Sequence, residues 1–288
     1  MNTMIKNYFS LIKFSHTIFA LPFAIIGFTL AVSQLEYAFS WDKILFVLLC
    51  MIFARSAAMA FNRYIDRDID IANPRTSEIR EIPRGIITAN AALIFVIINC
   101  ILFIGCSYML NSLCLYLSPI ALSVIIGYSY TKRFTALCHL ILGLGLSFSP
   151  IGAYLAVTAK FDLLPLLFSC VVFFWVSGFD IIYALQDEDF DKNFNLHSIP
   201  VILGKNNALL FSRLMHIITT ILITIIGIYY FPTSSLFWIA GAIFTLLLFN
   251  QHRLIKLHDL SKINLAFFIN NGIASIVFAT IIIIELIL

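Results

Sequence analysis

The residues best suited to chemistry are carboxylates that recur at helical intervals in two separate polar segments. The first set is spaced by four residues and comprises Asn62, Asp66 and Asp70. The second set is spaced by seven and four residues and comprises Asp180, Asp187 and Asp191. On a continuous α-helix a step of four residues shifts the side chain by ~40° and a step of seven by ~20°, so each set would lie on one helical face. Two such carboxylate stripes could jointly hold divalent cations.

The oxygen-rich character of both sets points to a hard cation. Clustered carboxylates repel one another, and Mg²⁺ relieves that repulsion because it prefers oxygen ligands. Mg²⁺ bound by only a few carboxylates completes its shell with water and with phosphate oxygens of a substrate. The sequence therefore predicts a site in which Mg²⁺ bridges the aspartates and a diphosphate.

Basic residues accompany the aspartates. Arg75 follows the first set, and Lys132 and Arg133 lie in a short loop between two apolar segments. An arginine can clamp phosphate oxygens in bidentate fashion and a lysine can act as a point charge, although basic residues at helix ends also serve to anchor membrane topology. Both interpretations remain open at this stage.

Arg55 stands apart from the other cations because it lies inside an apolar segment. It precedes Asn62 by seven residues and therefore falls on the same helical face, one and a half to two turns deeper. A buried arginine needs an anion. That anion is either the carboxylate of Asp180, in an internal salt bridge, or an acidic group of a substrate.

The elements that must position these residues are membrane-spanning helices. Hydrophobic residues make up 61% of the 288 residues and charged residues 11%, against about 45–50% and about 25% in soluble domains. No alternating segments of the outer-membrane barrel type are visible. The sequence predicts an all-α polytopic membrane protein, one domain over residues 1–288, with nine transmembrane helices. The predicted spans are His16 to Gln34, Ile44 to Phe61, Ile87 to Leu110, Ser112 to Tyr128, Leu137 to Thr158, Leu163 to Leu185, Ala208 to Phe231, Ser234 to Phe249 and Leu265 to Leu286.

The distribution of basic residues predicts the orientation. With a cytoplasmic N-terminus, only Lys43 and Lys160 of the 18 Lys and Arg residues fall outside, as the positive-inside rule requires. Both aspartate-rich loops then face the cytoplasm, as expected for a multi-pass protein of a bacterial-type inner membrane.

Several function classes are disfavoured. The net charge of +3 is explained by membrane topology, so we expect no nucleic-acid partner. The six cysteines lie in apolar stretches without a CxxC pair, and the histidines show no metal-ligand spacing. Since nucleophile and nucleotide-binding motifs are also absent, the chemistry should be metal-assisted.

The aspartate motifs resemble those of the UbiA-type membrane prenyltransferases. The resemblance rests on three segments in family order: Asn62-x-x-x-Asp66-x-x-x-Asp70, Tyr128 to Thr135, and Tyr183 to Asp191. The start, Lys13 to Phe23, and the run Asp180 to Asp187 are most similar to the 4-hydroxybenzoate polyprenyltransferases. One departure is that three residues, rather than two, separate Arg75-Thr76 from Arg80.

The resemblance implies a helical bundle around a central cavity capped by two cytoplasmic loops. It also implies transfer of a polyprenyl group from polyprenyl diphosphate to an aromatic acid, 4-hydroxybenzoate or, in a menaquinone pathway, a dihydroxynaphthoate. The predicted catalytic residues are Asp66, Asp70, Asp187 and Asp191, which with Asn62 would also bind Mg²⁺. The predicted substrate-binding residues are Asn62, Arg55, Lys132, Arg133, Arg75, Tyr128 and Asp180.

Two other classes also employ membrane carboxylates. A phosphatidyl-transferring enzyme would gather its aspartates in one motif punctuated by glycine, whereas this chain has two distant sets. A transporter would more often place ionisable groups near mid-span and interrupt its helices with Gly or Pro. Both are less favoured than prenyl transfer.

Overall fold

The computed structural model describes residues 3–12, 19–34, 36–255, 260 and 262–288, and every regular element among them is a helix. In chain order the α-helices are α1 (Thr3–Leu11), α2 (Leu21–Val32), α3 (Trp41–Ile65), α4 (Arg67–Ala72), α5 (Pro74–Ser77), α6 (Ala89–Leu110), α7 (Ser112–Thr131), α8 (Cys138–Thr158), α9 (Leu163–Ala184), α10 (Glu188–Asn193), α11 (Ile199–Tyr230), α12 (Ser235–Leu254) and α13 (Asn271–Ile287). A 3₁₀ turn (Leu185–Asp187) joins α9 to α10, and a π-helix (Leu265–Asn270) precedes α13. The predicted all-α class is confirmed.

Eight helices in the described part of the chain are long and apolar enough to cross a membrane. They correspond to eight of the nine predicted spans. The remaining span was predicted to start at His16, and residues 13–18 lie outside the described residues; its described helix, α2, has 12 residues. Apolar helices are the expected outcome, since a backbone in hydrocarbon must satisfy its polar groups internally.

Polar side chains define where several of these helices begin. The side-chain oxygens of Thr88, Asp162, Ser198 and Ser234 each accept a backbone N–H from the first turn of α6, α9, α11 and α12, respectively. Such N-caps satisfy donors that a helix start leaves unpaired, typically contributing about 1 kcal/mol each.

The chain divides into two compact units. Among the described residues, unit 1 contains residues 3–12 and 42–130, and unit 2 contains residues 19–34, 36–41, 131–255, 260 and 262–288. In unit 1, Leu11 packs in a buried cluster with Ala57 and Ala60 of α3 and with Ala92 and Val96 of α6.

Unit 2 is built around buried aromatic rings and close helix contacts. Trp175 of α9 is fully buried, with its ring centroid 5.4 Å from those of Phe23 and Phe244. The helices α8 and α9 approach so closely that a Cβ atom at Gly143 would lie 2.7 Å from the Phe173 carbonyl oxygen. Small residues at such crossings let helix backbones pack directly in a membrane.

Candidate active site

The first aspartate motif lies in unit 1, at the junction of two helices. The expected continuous helix is interrupted, because α3 ends at Ile65 and Asp66 (φ −89°, ψ 9°) stands between it and α4. The hydrogen bonding nevertheless continues in helical register. The N–H of Asp66 donates to the Asn62 carbonyl at 3.0 Å, and the N–H of Asp70 donates to the Asp66 carbonyl at 2.7 Å. The three residues thus keep their helical register across the break.

Both carboxylates of this motif are enclosed by the protein. Asp66 is 1% exposed and Asp70 2% exposed. The Asn62 amide nitrogen donates to Asp66 Oδ2 at 2.9 Å, and its oxygen accepts from Arg63 Nη1 at 3.1 Å. Buried charges are costly unless they are paired or bind a cation. Asp70 Oδ1 forms a salt bridge with Arg80 Nη1, while Asp70 Oδ2 has no hydrogen-bond partner among the described residues.

The donor set here suits Mg²⁺ in type, since it consists of buried carboxylate oxygens, one of them with unused acceptor capacity. Across the described residues, no three His, Cys, Asp or Glu side chains are grouped closely enough to hold a metal by themselves. A cation at this motif would therefore need further oxygen ligands, and substrate phosphates usually supply such oxygens to Mg²⁺.

The loop after α4 brings Arg80 to the motif. The Thr76 hydroxyl donates to the Asp70 carbonyl at 3.0 Å, and the Asn73 side chain caps α5 by accepting the N–H of Arg75. Arg75 itself is exposed in α5. Arg80 was not among the predicted site residues, because three residues rather than two separate it from Arg75-Thr76. The fold places its guanidinium beside the Asp70 carboxylate.

Arg55 lies in the same unit, with Tyr128 of α7 nearby. The Arg55 side chain is largely enclosed in α3, and its Nε atom has no hydrogen-bond partner within the described part of the chain. Tyr128 lies within electrostatic range of Arg55, Arg63 and Asp66. The structure thus brings together Tyr128 and Arg55, two predicted substrate-binding residues. The Nε–H of Arg55 stays available to donate a hydrogen bond.

The second aspartate motif lies in unit 2 and is also not one continuous helix. The α9 helix ends at Ala184, and a three-residue 3₁₀ turn carries Asp187 before α10 begins. Because a 3₁₀ helix has 3.0 residues per turn, each of its residues adds ~20° of rotation relative to an α-helix. The expectation of one continuous helical face for Asp180, Asp187 and Asp191 is therefore modified by this turn.

Asp191 is the centre of a polar cluster in unit 2. Its half-buried carboxylate accepts a hydrogen bond from Ser198 and lies within electrostatic range of Lys132, Asp187 and His139. The loop that carries Lys132 is fixed to the chain after α10, since the His197 N–H donates to the Lys132 carbonyl at 2.7 Å. The predicted Lys132 and Asp191 are thus brought together. Arg133 follows Lys132 in the same loop and is half-buried.

Asp180 has a partner that the sequence analysis missed. His139 Nδ1, in the first turn of α8, lies 2.7 Å from Asp180 Oδ2 in α9. No sequence signal links two residues 41 positions apart, and the histidines had been set aside for lack of ligand spacing. Asp180 therefore already has a hydrogen-bond partner inside unit 2.

Most of the chain is similar in sequence to one protein family. The model of the UbiA prenyltransferase family matches residues 20–272. The chain is 29% identical over 245 residues to the 4-hydroxybenzoate octaprenyltransferase of Yersinia pseudotuberculosis serotype IB, covering 84% of this chain and 83% of that protein. It is 27% identical over 239 residues to the 4-hydroxybenzoate octaprenyltransferase of Vibrio vulnificus, covering 83% of each.

Solved structures show the same fold. A UbiA homolog from Aeropyrum pernix K1, in its apo form, superposes with a TM-score of 0.82 at 30% identity, covering 94% of this chain and 98% of that one. A UbiA homolog from Archaeoglobus fulgidus, bound to DMAPP and Mg²⁺, superposes with a TM-score of 0.71 at 20% identity, covering 94% and 99%.

Proposed function

Because the chain belongs to the UbiA prenyltransferase family, we propose that it transfers a polyprenyl group from a polyprenyl diphosphate to the ring of an aromatic acid. We favour 4-hydroxybenzoate as the acceptor, since the relatives from Yersinia and Vibrio carry that substrate in their names. A dihydroxynaphthoate is the alternative acceptor. Membership of the family favours prenyl transfer over the phosphatidyl-transfer and transport alternatives.

The observation that carries the proposal is an aspartate pair accompanied by a cation in each unit. Asp66 and Asp70 are buried beside Arg80 in unit 1, and Asp191 stands with Asp187 and Lys132 in unit 2. In our proposal the residues that hold Mg²⁺ are Asn62, Asp66, Asp70, Asp187 and Asp191. The Archaeoglobus homolog with DMAPP and Mg²⁺ supports a divalent cation of this kind.

The protein's cations are proposed to hold the diphosphate. Lys132, Arg133 and Arg75 would neutralise charge that develops on the departing diphosphate as the allylic C–O bond breaks. When bound, Mg²⁺ supplies further positive charge to the same oxygens. The apolar helices would exclude water, so that the allylic cation meets the electron-rich ring before it is hydrolysed.

Arg55 is proposed to hold the carboxylate of the acceptor. Its Nε donor is buried without a hydrogen-bond partner among the described residues, and it lies seven residues, or ~10 Å of helix, before Asn62. An acceptor held at that depth would present its ring on the bilayer side of the diphosphate. Tyr128 lies within electrostatic range of Arg55 and could contact the same substrate.

The orientation inferred from the sequence is part of the proposal. The chain is a multi-pass membrane protein, because eight helices among the described residues are long and apolar enough to cross a membrane. We propose a bacterial-type inner membrane, with the N-terminus and both aspartate loops in the cytoplasm, where water-soluble aromatic acids and Mg²⁺ are available.

The reaction can be tested with purified protein in detergent. A prenyl diphosphate is supplied with either 4-hydroxybenzoate or a dihydroxynaphthoate, with and without Mg²⁺, and both diphosphate release and the prenylated ring are measured. We expect Mg²⁺-dependent formation of prenylated 4-hydroxybenzoate. Asp66→Asn should abolish it, whereas Asp68→Asn, at an exposed position two residues away, should not. Transfer to neither acid, or full activity in Asp66→Asn, would refute the proposal.

A further inference from the structure

The contact between His139 and Asp180 joins an enclosed imidazole to a carboxylate that remains accessible. The His139 side chain is 6% exposed and the Asp180 side chain 20% exposed, with 2.7 Å between Nδ1 and Oδ2. Either protonation state of the imidazole can donate an N–H from Nδ1 to the carboxylate. The histidine is therefore the enclosed member of the pair, and the carboxylate is the member that other groups can reach.

A carboxylate inside α9 carries a high free-energy cost unless a partner or a cavity accommodates it. Asp180 lies within a helix long and apolar enough to span the membrane, where ionisable groups are rare and typically face a cavity or a partner. A carboxylate has lone pairs for about four hydrogen bonds, and the bond from His139 uses one of them on Oδ2. The pair is thus stabilised but keeps acceptor capacity.

The packing of α8 against α9 holds the two residues in register. Gly143 is four residues after His139, and Ser177 is three residues before Asp180. A Cβ atom at Gly143 would lie 2.2 Å from Ser177 Oγ and 2.7 Å from the Phe173 carbonyl oxygen. Only glycine allows the two backbones to come this close. The contact holds α8 against α9 about one helical turn from the hydrogen bond between His139 and Asp180.

The pair also belongs to the polar cluster of unit 2. His139 lies within electrostatic range of Asp191, as does Lys132. Along the chain, Asp180 is seven residues before Asp187, about two helical turns or ~10 Å. In the proposed function the ring that attacks the allylic carbon lies next to the diphosphate, so we expect its substituents to come within reach of Asp180.

We propose that Asp180 accepts a hydrogen bond from the hydroxyl group of the aromatic acid, and that His139 is the positioning residue that holds Asp180 for this contact. This inference rests on the proposed function and specifies how the same site distinguishes a hydroxylated ring from an unsubstituted one. A hydroxyl bound to a carboxylate makes a short, charge-assisted hydrogen bond. The same bond orients the ring, because it fixes the edge opposite the carboxyl group.

The test compares the affinities of two ligands that differ only in the hydroxyl group. Equilibrium binding of 4-hydroxybenzoate and of benzoate is measured on the intact protein in detergent, in the presence of Mg²⁺ and inorganic diphosphate. The wild-type protein should prefer 4-hydroxybenzoate by roughly 10- to 100-fold, the range expected for one hydrogen bond to a charged group. Asp180→Leu should reduce this preference to within about twofold, and the affinity for benzoate should stay close to that of the wild type.

His139 is tested by a pair of substitutions. His139→Leu should lower the preference at least about fivefold, because Asp180 loses the N–H that orients it. His139→Asn keeps an N–H near the position of Nδ1 and should restore most of the preference. Ser177→Ala is the matched control, since it removes another buried polar group of α9, one that donates to the Phe173 carbonyl at 2.7 Å.

Two results would overturn the inference. If His139→Leu or Asp180→Leu weakens binding of both acids equally, the pair has only a structural role. If both variants keep the wild-type preference, the hydroxyl group binds elsewhere. These results differ from a failure of the proposed function, in which the wild-type protein itself neither prefers 4-hydroxybenzoate nor prenylates it.

Discussion

Replacing Gly143 by alanine should separate α8 from α9 and weaken the hydrogen bond between His139 and Asp180. The new Cβ would lie 2.7 Å from the Phe173 carbonyl oxygen, a backbone atom that cannot rotate away. It would also lie 2.2 Å from Ser177 Oγ. Ordinary van der Waals contact begins near 3.4 Å, so the helices must part locally by about 0.7 Å to accept one methyl group.

The consequence for the hydrogen bond follows from its length. At 2.7 Å the bond between His139 and Asp180 is short, and a separation of the same size would stretch it to about 3.4 Å, beyond the 2.7–3.2 Å range of good N–H···O bonds. Overpacking of this kind typically costs about 1–3 kcal/mol of stability. Gly143→Ala should therefore lower both the stability of the protein and its preference for 4-hydroxybenzoate over benzoate.

Gly152→Ala provides the matched control in the same helix. A Cβ atom at Gly152 would meet nothing within 4 Å, and alanine is favoured over glycine in helices by about 1 kcal/mol. We expect Gly152→Ala to be at least as stable as the wild type. Thermal unfolding in detergent and the two-ligand binding assay measure the two effects. If Gly143→Ala unfolds at the same temperature as Gly152→Ala and keeps its ligand preference, the close packing does not hold the pair.

Three further predictions concern the diphosphate and acceptor sites. Asp191→Asn should reduce turnover by at least about a hundredfold, as expected when a charge-stabilising group is lost. The Asp189 side chain is 89% exposed, so Asp189→Asn should keep turnover within about twofold of the wild type. Similar losses in both variants would contradict the assignment of Asp191 to the site. Lys132→Ala should raise the KM for prenyl diphosphate more than the KM for the aromatic acid, and an equal rise in both would indicate a folding defect. Arg55→Ala should raise the KM for the aromatic acid, with little change in the KM for prenyl diphosphate. Arg55→Lys should give an intermediate KM for the acid, because it keeps the charge but loses the planar donor set. The opposite pattern would assign Arg55 to the diphosphate.

The helices could be predicted from the sequence because their cause is local. A run of about 20 apolar residues has few alternatives to a membrane-spanning helix, so α6 and α8 begin and end within two residues of the predicted positions. The recurrence of Asp66 and Asp70 at four-residue spacing was visible for the same reason. Their helical register survives even though the helix is interrupted at Asp66.

The partners of the aspartates could not be read from the sequence, because they depend on where the chain folds back. Arg80 reaches Asp70 from ten positions further along the chain, beyond α5, and His139 reaches Asp180 from a different helix, 41 positions away. The 3₁₀ turn that carries Asp187 likewise departs from the helical pattern that the spacing suggests. The sequence by itself determined the helical class and the oxygen-rich character of the site, since both follow from residue type and local spacing. Only the tertiary structure decided which cation or imidazole stands beside each carboxylate, since those contacts are made between segments that are distant in the chain.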